Sequence, residues 1–167
     1  MNIRPFNAGD AASDAADDDA DDSAAMANIF QRSVRGVGLL LYCARQVDAW
    51  AARGPNAARI RAQCADGRVV MVAERDDGAI IGFCDLEPNG HIDFLYCAPE
   101  AIRSGVGSAL YQVIERAALN RNMRRLHCEA SEAAKPFFIN KGFSLIKRCD
   151  FWIENVPIHN FAMVKLL

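Results

Sequence analysis

A glycine-bearing turn between an apolar strand and a helix is the feature that most restricts the fold of this chain. The run Arg103–Leu110 (Arg-Ser-Gly-Val-Gly-Ser-Ala-Leu) follows the strand-like stretch His91–Cys97 and leads into a helix with apolar residues at helical spacing, Val106–Leu119. A strand, a turn and a helix in this order predict a β–α–β crossover with a parallel strand pair. The first turn of such a helix leaves backbone N–H groups unpaired at the positive end of its dipole, which suits an anion, most often a phosphate.

Two well-known phosphate loops do not fit this turn. A P-loop requires Gly-Lys-Ser/Thr, but Gly107 is followed by Ser108 and Ala109. The dinucleotide fingerprint requires a third glycine or alanine where Leu110 stands. A purely structural role also stays open, because glycines permit tight turns and close packing without any ligand.

Length and composition favour one globular domain spanning residues 1–167. The chain has 167 residues, of which 51% are hydrophobic. A formal charge of −2 and a pI near 5.9 give no general attraction to nucleic acid or to an anionic membrane. No apolar run approaches the roughly 18 residues of a membrane span, and the start lacks the apolar core of a signal peptide. We therefore expect a cytoplasmic protein without nucleic-acid or membrane partners.

The cysteines predict neither a metal site nor a disulfide framework. There are six, none in a Cys-x-x-Cys pair. Cys84, Cys97 and Cys128 lie in strand-like runs, where free cysteine behaves as a small buried hydrophobe. The alternative is a catalytic thiol, for which Cys97 and Cys128 are the candidates.

Residues 10–22 form an acidic stretch of alanine, serine and seven aspartates. Blocks of like charge with nothing apolar to bury indicate a solvated loop inserted in the domain. The alternating ligands, central glycine and distal glutamate of a calcium loop are missing. An alternative is that Asp14–Asp22, within this stretch, bind a basic partner.

The periodicity predicts a mixed α+β fold. Helices are expected after an N-cap at Ser23, over Ala44–Arg53 and over Ala57–Cys64. The sheet is expected to be mostly antiparallel, with a central parallel pair and flanking helices. A further short helix is expected to be capped by Ser131 and to reach Lys141. The strand predictions are Asn2–Phe6, Arg68–Arg75, Ala79–Glu87, His91–Cys97, Leu126–Ala130, Phe143–Glu154 and Ile158–Leu166.

Several segments together resemble the GNAT superfamily of acyl-CoA-dependent N-acetyltransferases. The resemblance covers nearly the whole chain, and implies a GNAT-like fold, acetyl-CoA as co-substrate, no metal, and an amine as acceptor. It leaves open whether the chain is a monomer or a homodimer. The segments are Ile3–Pro5, Gly82–Leu86, Leu95–Pro99, Gly105–Leu110, Ala134–Phe143 and His159–Leu166.

The resemblance also implies which residues hold the co-substrate. Backbone N–H groups of the glycine loop would hold the pyrophosphate, although Ile102 stands where the family prefers a polar side chain. The main chain of Leu95–Cys97 would pair with the pantetheine arm like an added strand. The implied contacts are Leu95, Tyr96, Cys97, Arg103, Ser104, Gly105, Val106, Gly107, Ser108, Ser131 (where many relatives have asparagine) and Phe138.

Catalysis requires proton removal, oxyanion stabilisation and protonation of the leaving thiolate. The N–H of Cys97 is the candidate oxyanion donor. His91 stands where relatives often have a glutamate base, and Asp93 lies two residues on; alternatively, His91 is a surface residue and Asp93 fixes a loop. Phe138 replaces the tyrosine that many relatives carry, so either the thiolate leaves unassisted or Ser131 or water acts as the acid.

Three functions compete on the sequence alone. The leading one is an acetyltransferase acting on a small-molecule, peptide or protein amine, bound among Phe30, Tyr42, Trp50 and Trp152. The second is an acyl-CoA-binding regulatory module that has lost catalysis, which Phe138 favours. The third is an interaction protein that uses its acidic segment.

Overall fold

The computed structural model describes residues 1–7 and 22–167. The acidic insertion predicted over residues 10–22 therefore lies outside the described residues, except for Asp22. None of the described helices is both long and apolar enough to cross a bilayer. The strands are β1 (Asn2–Pro5), β2 (Val69–Glu74), β3 (Ile80–Leu86), β4 (Leu95–Cys97), β5 (Arg125–Ala130), β6 (Ser144–Ile153) and β7 (Val156–Leu166). The helices are α1 (Asp22–Gly38), α2 (Ala44–Ala52), α3 (Ala57–Cys64), α4 (Val106–Asn120) and α5 (Lys135–Asn140).

Among the described residues, the strands form two antiparallel sheets that meet at one parallel bridge. The first sheet has the order β1-β2-β3-β4 and the second has the order β5-β7-β6. His91 and His127 form the parallel bridge between them. The mixed fold, the β2-β3-β4 meander and the flanking helices are confirmed, and the central parallel pair is reduced to this one bridge.

The strand predicted over His91–Cys97 is shorter than expected. Only Leu95–Cys97 pairs regularly, with β3. Before it, the N–H groups of Asp93 and Phe94 donate to the carboxylate of Asp85 on β3, at 3.0 and 2.7 Å. Two backbone bonds to this part of the chain remain, from Asp85 N–H to the Phe94 carbonyl at 3.1 Å and from Glu87 N–H to the His91 carbonyl at 2.8 Å. The Asp85 side chain therefore takes two N–H donors that backbone carbonyls would accept in a regular sheet, and the pairing becomes irregular here.

Two helix starts also differ from the prediction. α1 begins at Asp22, so Ser23 is a helical residue and not an N-cap. α5 begins at Lys135 with Ala134 as its N-cap, so Ser131 does not cap it; the Ser131 carbonyl instead accepts the N–H groups of Ala134 and Lys135 in the turn before the helix. Pro136 then occupies the first turn of the helix, where a missing N–H is tolerated.

Helix α4 lies across β3 with its first turn over a glycine. Leu110 and Ile114 of α4 are completely buried. A Cβ at Gly82 would come within 2.9 Å of Val106 Cγ1, 3.1 Å of Leu110 Cδ1 and 3.1 Å of the Tyr96 carbonyl oxygen. The missing side chain therefore lets the N-terminus of α4 approach the sheet beside β4.

We predict that Gly82→Ala destabilises the protein by about 1–3 kcal/mol, because the added methyl group overpacks the contact between α4 and β3. Urea or thermal unfolding measures the loss. Gly36→Ala is the matched control: its Cβ would lie 3.5 Å from Pro99 in ordinary contact, inside helix α1, so it should be neutral or stabilising. Equal stability of Gly82→Ala and wild type would contradict the close approach.

Candidate active site

A cleft opens where β4 and β5 part beyond their parallel bridge. At the bridge, Ile92 N–H donates to the His127 carbonyl at 2.9 Å, and His127 N–H donates to the Gly90 carbonyl at 3.0 Å. No described residue of β4 pairs with β5 after this point. The two strand edges therefore diverge, each with main-chain groups turned toward the gap.

Hydrogen bonds to β3 decide which groups of β4 face the cleft. The Phe94 carbonyl and the Ala98 N–H bond to β3, at 3.1 and 2.9 Å. Since pairing alternates along an antiparallel strand, Tyr96 also faces β3, and the N–H and C=O groups of Leu95 and Cys97 face the gap. Of the three residues predicted to offer main-chain contacts, Leu95 and Cys97 are oriented for it and Tyr96 is not.

Of the two candidate thiols, Cys128 is buried and Cys97 is half-buried. Burial raises the pKa of Cys97 to about 11 and that of Cys128 to about 12. Both are therefore protonated at neutral pH and are weak nucleophiles. This favours the interpretation of these cysteines as small core residues over that of a catalytic thiol.

The first turn of α4 presents a cluster of unpaired N–H groups. Gly105 caps the helix with φ of 91°, a left-handed conformation that favours glycine. In contrast, Ser104 is engaged in the turn: its N–H and its hydroxyl both donate to the Ala101 carbonyl, at 3.4 and 2.6 Å. The groups without an acceptor among the described residues are the N–H groups of Arg103, Gly105, Val106, Gly107 and Ser108.

These donors lie at the mouth of the cleft. A Cβ at Gly107 would lie 3.6 Å from Cys97 Sγ and 3.7 Å from Phe137. The helix N-terminus is therefore next to the end of β4, and its partial positive charge acts on the same space. The arrangement can hold an anionic group while the strand edges bind an extended chain.

A cluster of histidines and carboxylates occupies the face of the sheet opposite α4. Leu126, Cys128 and Ala130 of β5 are buried, and Leu126 pairs with Lys165, whose ammonium reaches Tyr111 of α4 at 3.3 Å. By alternation along the strand, His127 and Glu129 lie on the other face. This second face is where the candidate base residues meet.

Both ring nitrogens of His91 face carboxylates. Nε2 lies 2.7 Å from Glu129 Oε2, and Nδ1 lies 3.4 Å from Glu87 Oε2. Burial lowers the pKa of His91, but the two carboxylates outweigh it, so the net shift is upward and favours the imidazolium. The ring also stacks on His127, with 5.0 Å between centroids. The pKa of His127 is lowered, first by burial and second by the charge of His91.

Asp93 is held beside a buried ion pair. Asp85, only 1% exposed, accepts the N–H groups of Asp93 and Phe94 and also the Nη1 of Arg68, at 2.5 Å. Arg68 in turn lies 3.6 Å from Asp93 Oδ2. Burial raises the pKa of Asp93, and it raises the pKa of Asp85 to about 6. A carboxylate with a raised pKa is a stronger base than an ordinary one.

The other predicted site residues lie at the far end of β5. Ser131 follows this strand directly, and its Oγ accepts the N–H of Ala134 at 3.2 Å, which leaves the hydroxyl proton able to donate. Phe138 is 3% exposed and packs against Phe143, with 4.9 Å between ring centroids. Its burial leaves little surface for a co-substrate, and the neighbouring Phe137 is the aromatic residue beside Gly107.

The aromatic residues predicted to line an acceptor pocket divide into two groups. Phe30 and Tyr42 are buried in the core at 4% and 7% exposure, whereas Trp152 is 67% exposed. Tyr42 has a bridging role: its hydroxyl accepts the N–H of Glu132 at 2.9 Å and donates to the His159 carbonyl at 3.3 Å. It therefore ties the first helices to the end of β5 and to β7.

The sequence did not identify Arg68, Asp85, Glu87 or Glu129 as part of this site. One signal was present for Asp85, which is a charged residue inside the otherwise apolar run Ile80–Leu86. A carboxylate in a buried strand requires a partner, so this position predicts a buried cation or donor nearby. No comparable signal marks Arg68, which lies before β2.

Comparison with known proteins identifies the family. A sequence model described as the acetyltransferase (GNAT) domain matches residues 40–164. The chain belongs to the GNAT acetyltransferases. No curated protein matches the sequence.

Solved GNAT structures share the whole fold. A GCN5-related N-acetyltransferase from Rhodopseudomonas palustris has a TM-score of 0.84 and 28% identity, with 99% of this chain and 95% of that chain covered. PaiA N-acetyltransferase from Thermoplasma acidophilum, in complex with coenzyme A, has a TM-score of 0.71 and 16% identity, with 99% and 98% covered. A phosphinothricin acetyltransferase from Sinorhizobium meliloti, in complex with acetyl-CoA, has a TM-score of 0.72 and 18% identity, with 99% and 88% covered. At 16% and 18% identity, the last two show a common fold.

We predict that Arg68→Met destabilises this GNAT domain in a pH-dependent way. The substitution leaves the Asp85 carboxylate buried without its cation, which costs about 3–5 kcal/mol at pH about 8. The pKa of Asp85 in the folded protein, about 6, lies above its ordinary value of 3.8, so stability falls as pH rises between these two values. Removing Arg68 raises the folded pKa further. Urea unfolding should therefore show a smaller loss at pH about 5 than at pH about 8.

Arg75→Met is the matched control for this experiment. Arg75 pairs with Asp77 at 2.5 Å, but both side chains are more than half exposed, at 53% and 56%. Its loss should leave the stability close to that of wild type at either pH, because an exposed ion pair contributes little. Equal effects of the two substitutions would contradict a special role for the Arg68–Asp85 pair.

Proposed function

We propose that this GNAT domain is an acetyl-CoA-dependent N-acetyltransferase in which an acceptor amine attacks the acetyl group directly. The observation that carries the proposal is the cleft between β4 and β5, with unpaired N–H groups of α4 at its mouth. The CoA and acetyl-CoA complexes of the T. acidophilum and S. meliloti enzymes support the choice of co-substrate.

The chain offers a matching group for each part of acetyl-CoA. The N–H groups of Arg103 and Gly105–Ser108 would hold the pyrophosphate, since they converge at a helix N-terminus without other acceptors. The main chain of Leu95 and Cys97 would pair with the amide groups of the pantetheine arm. Once bound, acetyl-CoA supplies an activated acetyl group as a thioester. The Cys97 N–H, which faces the gap, would donate to the thioester carbonyl.

Asp93 is the proposed general base. Its pKa is raised by burial, it is 36% exposed, and it lies beside the point where the cleft opens. His91 is a weaker candidate because both of its ring nitrogens already face carboxylates. We assign His91 the role of positioning Glu87 and Glu129 around the acceptor.

The proton for the leaving thiolate has no tyrosine donor at position 138. Ser131 is the nearest candidate by its position after β5, because its hydroxyl proton remains able to donate. Water is the alternative. A thiolate is also a much better leaving group than an alkoxide, so this GNAT domain needs less help from an acid than an enzyme that cleaves an oxygen ester does.

The acceptor is proposed to be a cationic amine. Glu87, Asp93 and Glu129 are partly exposed on the face opposite α4, at 22%, 36% and 47%. Such carboxylates attract an ammonium group before one of them removes its proton. Thiol release from acetyl-CoA with polyamines, amino acids, aminoglycosides and basic peptides would identify the class.

We predict that Gly107→Glu weakens CoA binding about tenfold or more, because it places a negative charge among donors that hold a phosphate. Isothermal titration with CoA measures the change. Gly107→Gln is the matched control, as it has the same size without the charge, and it should bind several-fold better than the glutamate variant. If glutamate and glutamine variants bind CoA equally, the α4 N-terminus is not the anion site.

We predict that Asp93→Asn lowers kcat/KM by about 100- to 10,000-fold through loss of the base, with CoA affinity unchanged. His91→Gln should lower kcat/KM by less than about tenfold. In wild type, activity should fall as pH drops through the pKa of Asp93, because the base must be deprotonated, and this limb should be missing in Asp93→Asn. A dominant loss in His91→Gln would assign the base to His91 instead.

A non-catalytic acyl-CoA-binding module is the second candidate, and the absence of a hydroxyl at Phe138 favours it. The two functions make different predictions for the same protein. Tight CoA binding without thiol release across the whole acceptor panel would support the module. Release above background hydrolysis that Asp93→Asn abolishes would support the enzyme.

A further inference from the structure

Strand β6 carries an unusual concentration of exposed apolar side chains. Leu145, Ile146 and Trp152 are exposed at 50%, 61% and 67%. β6 is also the edge of the second sheet, and no described residue of the chain pairs with its outer side. A long apolar edge is a template for pairing with another strand. The bulge between Leu145 and Lys147 interrupts only its beginning.

The hairpin fixes which residues offer hydrogen bonds on the outer side. Two residues, Glu154 and Asn155, connect Ile153 to its partner Val156. In such a hairpin the flanking residues bond to each other, so Ile153 faces β7, and by alternation so do Phe151 and Cys149. The N–H and C=O groups that point outward therefore belong to Arg148, Asp150 and Trp152.

This alternation leaves few ways for β6 to pair with a second copy of itself. Outward-facing residues must oppose outward-facing residues, so a two-fold axis has to pass through one residue. An axis at Arg148 opposes two guanidinium groups, and an axis at Asp150 opposes two carboxylates. An axis at Cys149 opposes Arg148 to Asp150 of the second copy, twice.

We propose that this protein forms a homodimer through antiparallel β6–β6 pairing with the two-fold axis at Cys149. Of the axes at Arg148, Cys149 and Asp150, only the axis at Cys149 places opposite charges directly across from each other. Cross-strand pairs of opposite charge are favourable, whereas pairs of like charge are unfavourable. In one copy Arg148 and Asp150 already touch along the strand at 2.8 Å, so pairing creates a ring of four alternating charges. The same register brings Trp152 near the exposed Leu145 and Ile146 of the second copy.

The register places the two Cys149 residues directly opposite each other. They form a pair that exchanges no backbone hydrogen bonds, for which the Cα atoms lie about 4.5 Å apart. That separation lies within the range that a disulfide spans, about 4.4–6.8 Å. Cys149 is a free, half-buried thiol in the single chain. An oxidant should therefore trap the dimer through this residue.

Charge exchange tests the register. Light scattering after size exclusion should give wild type about twice the 18.3 kDa chain mass. Arg148→Asp and Asp150→Arg each oppose like charges and should raise the dimer dissociation constant about tenfold or more. The double variant Arg148→Asp/Asp150→Arg restores opposite charges and should return it to within about threefold of wild type. Wild type that stays monomeric, or a double variant no tighter than the single ones, would overturn the proposal.

Cross-linking tests the axis independently. Copper-phenanthroline accepts the two electrons that two thiols lose, together with two protons, when they form a disulfide. A disulfide-linked dimer should appear on a non-reducing gel with wild type and with Cys43→Ser, which removes an exposed thiol elsewhere. It should be absent with Cys149→Ser, whose light-scattering mass should stay that of the dimer. Cross-linking that depends on Cys43 and not on Cys149 would contradict this axis.

Discussion

The carboxylate of Asp85 separates the two halves of the sheet, and the candidate site depends on that separation. It accepts the N–H groups of Asp93 and Phe94, two donors that backbone carbonyls would accept in a regular sheet, while the Asp85 N–H still bonds to the Phe94 carbonyl. β4 then continues with β3 while β5 continues with β7, so the strands diverge beyond His91 and His127. A fully hydrogen-bonded sheet would have no gap at this place. Arg68 makes the arrangement possible, because a carboxylate that is 1% exposed requires a cation or several donors.

A gap in a sheet leaves main-chain N–H and C=O groups without partners. Here the N-terminus of α4, which follows β4, lies beside these groups, and together they form a binding surface. Gly82 lets α4 approach the sheet, and Gly105 turns the chain into the helix. The unpaired donors of the first turn then stand beside the unpaired main-chain groups of Leu95 and Cys97. Two kinds of unsatisfied backbone thus face one space, and an extended ligand with a phosphate at one end and amides along its length would satisfy both. The gap between the strands and the start of α4 can bind the same ligand because they are adjacent.

The sequence predicted what depends on local pattern and missed what depends on long-range contacts. The glycine turn, the crossover helix and the β2-β3-β4 meander follow from spacing and turn residues, and they agree with the structure. The end of regular pairing before Leu95 could not be predicted, because it depends on a carboxylate eight residues earlier in another strand. The partners of His91 were likewise out of reach, since Glu129 lies 38 residues away along the chain. A buried charge such as Asp85 indicates that a partner exists without identifying it.

The contacts of His91 and Asp93 change the meaning of two residues that the sequence could not separate. Both precede β4 and both can accept a proton, so their identity alone leaves the choice of base open. His91 has a carboxylate at each ring nitrogen, and a proton on it is stabilised from two sides. Asp93 faces the charge of His91 and the Arg68 guanidinium at 3.6 Å, but burial outweighs both and raises its pKa. His91 holds its proton tightly between two carboxylates, so it is suited to position those carboxylates. Asp93 has a raised pKa, so it is suited to remove a proton from an ammonium ion. The difference between these two roles comes from neighbours on β3 and β5, and therefore from the fold.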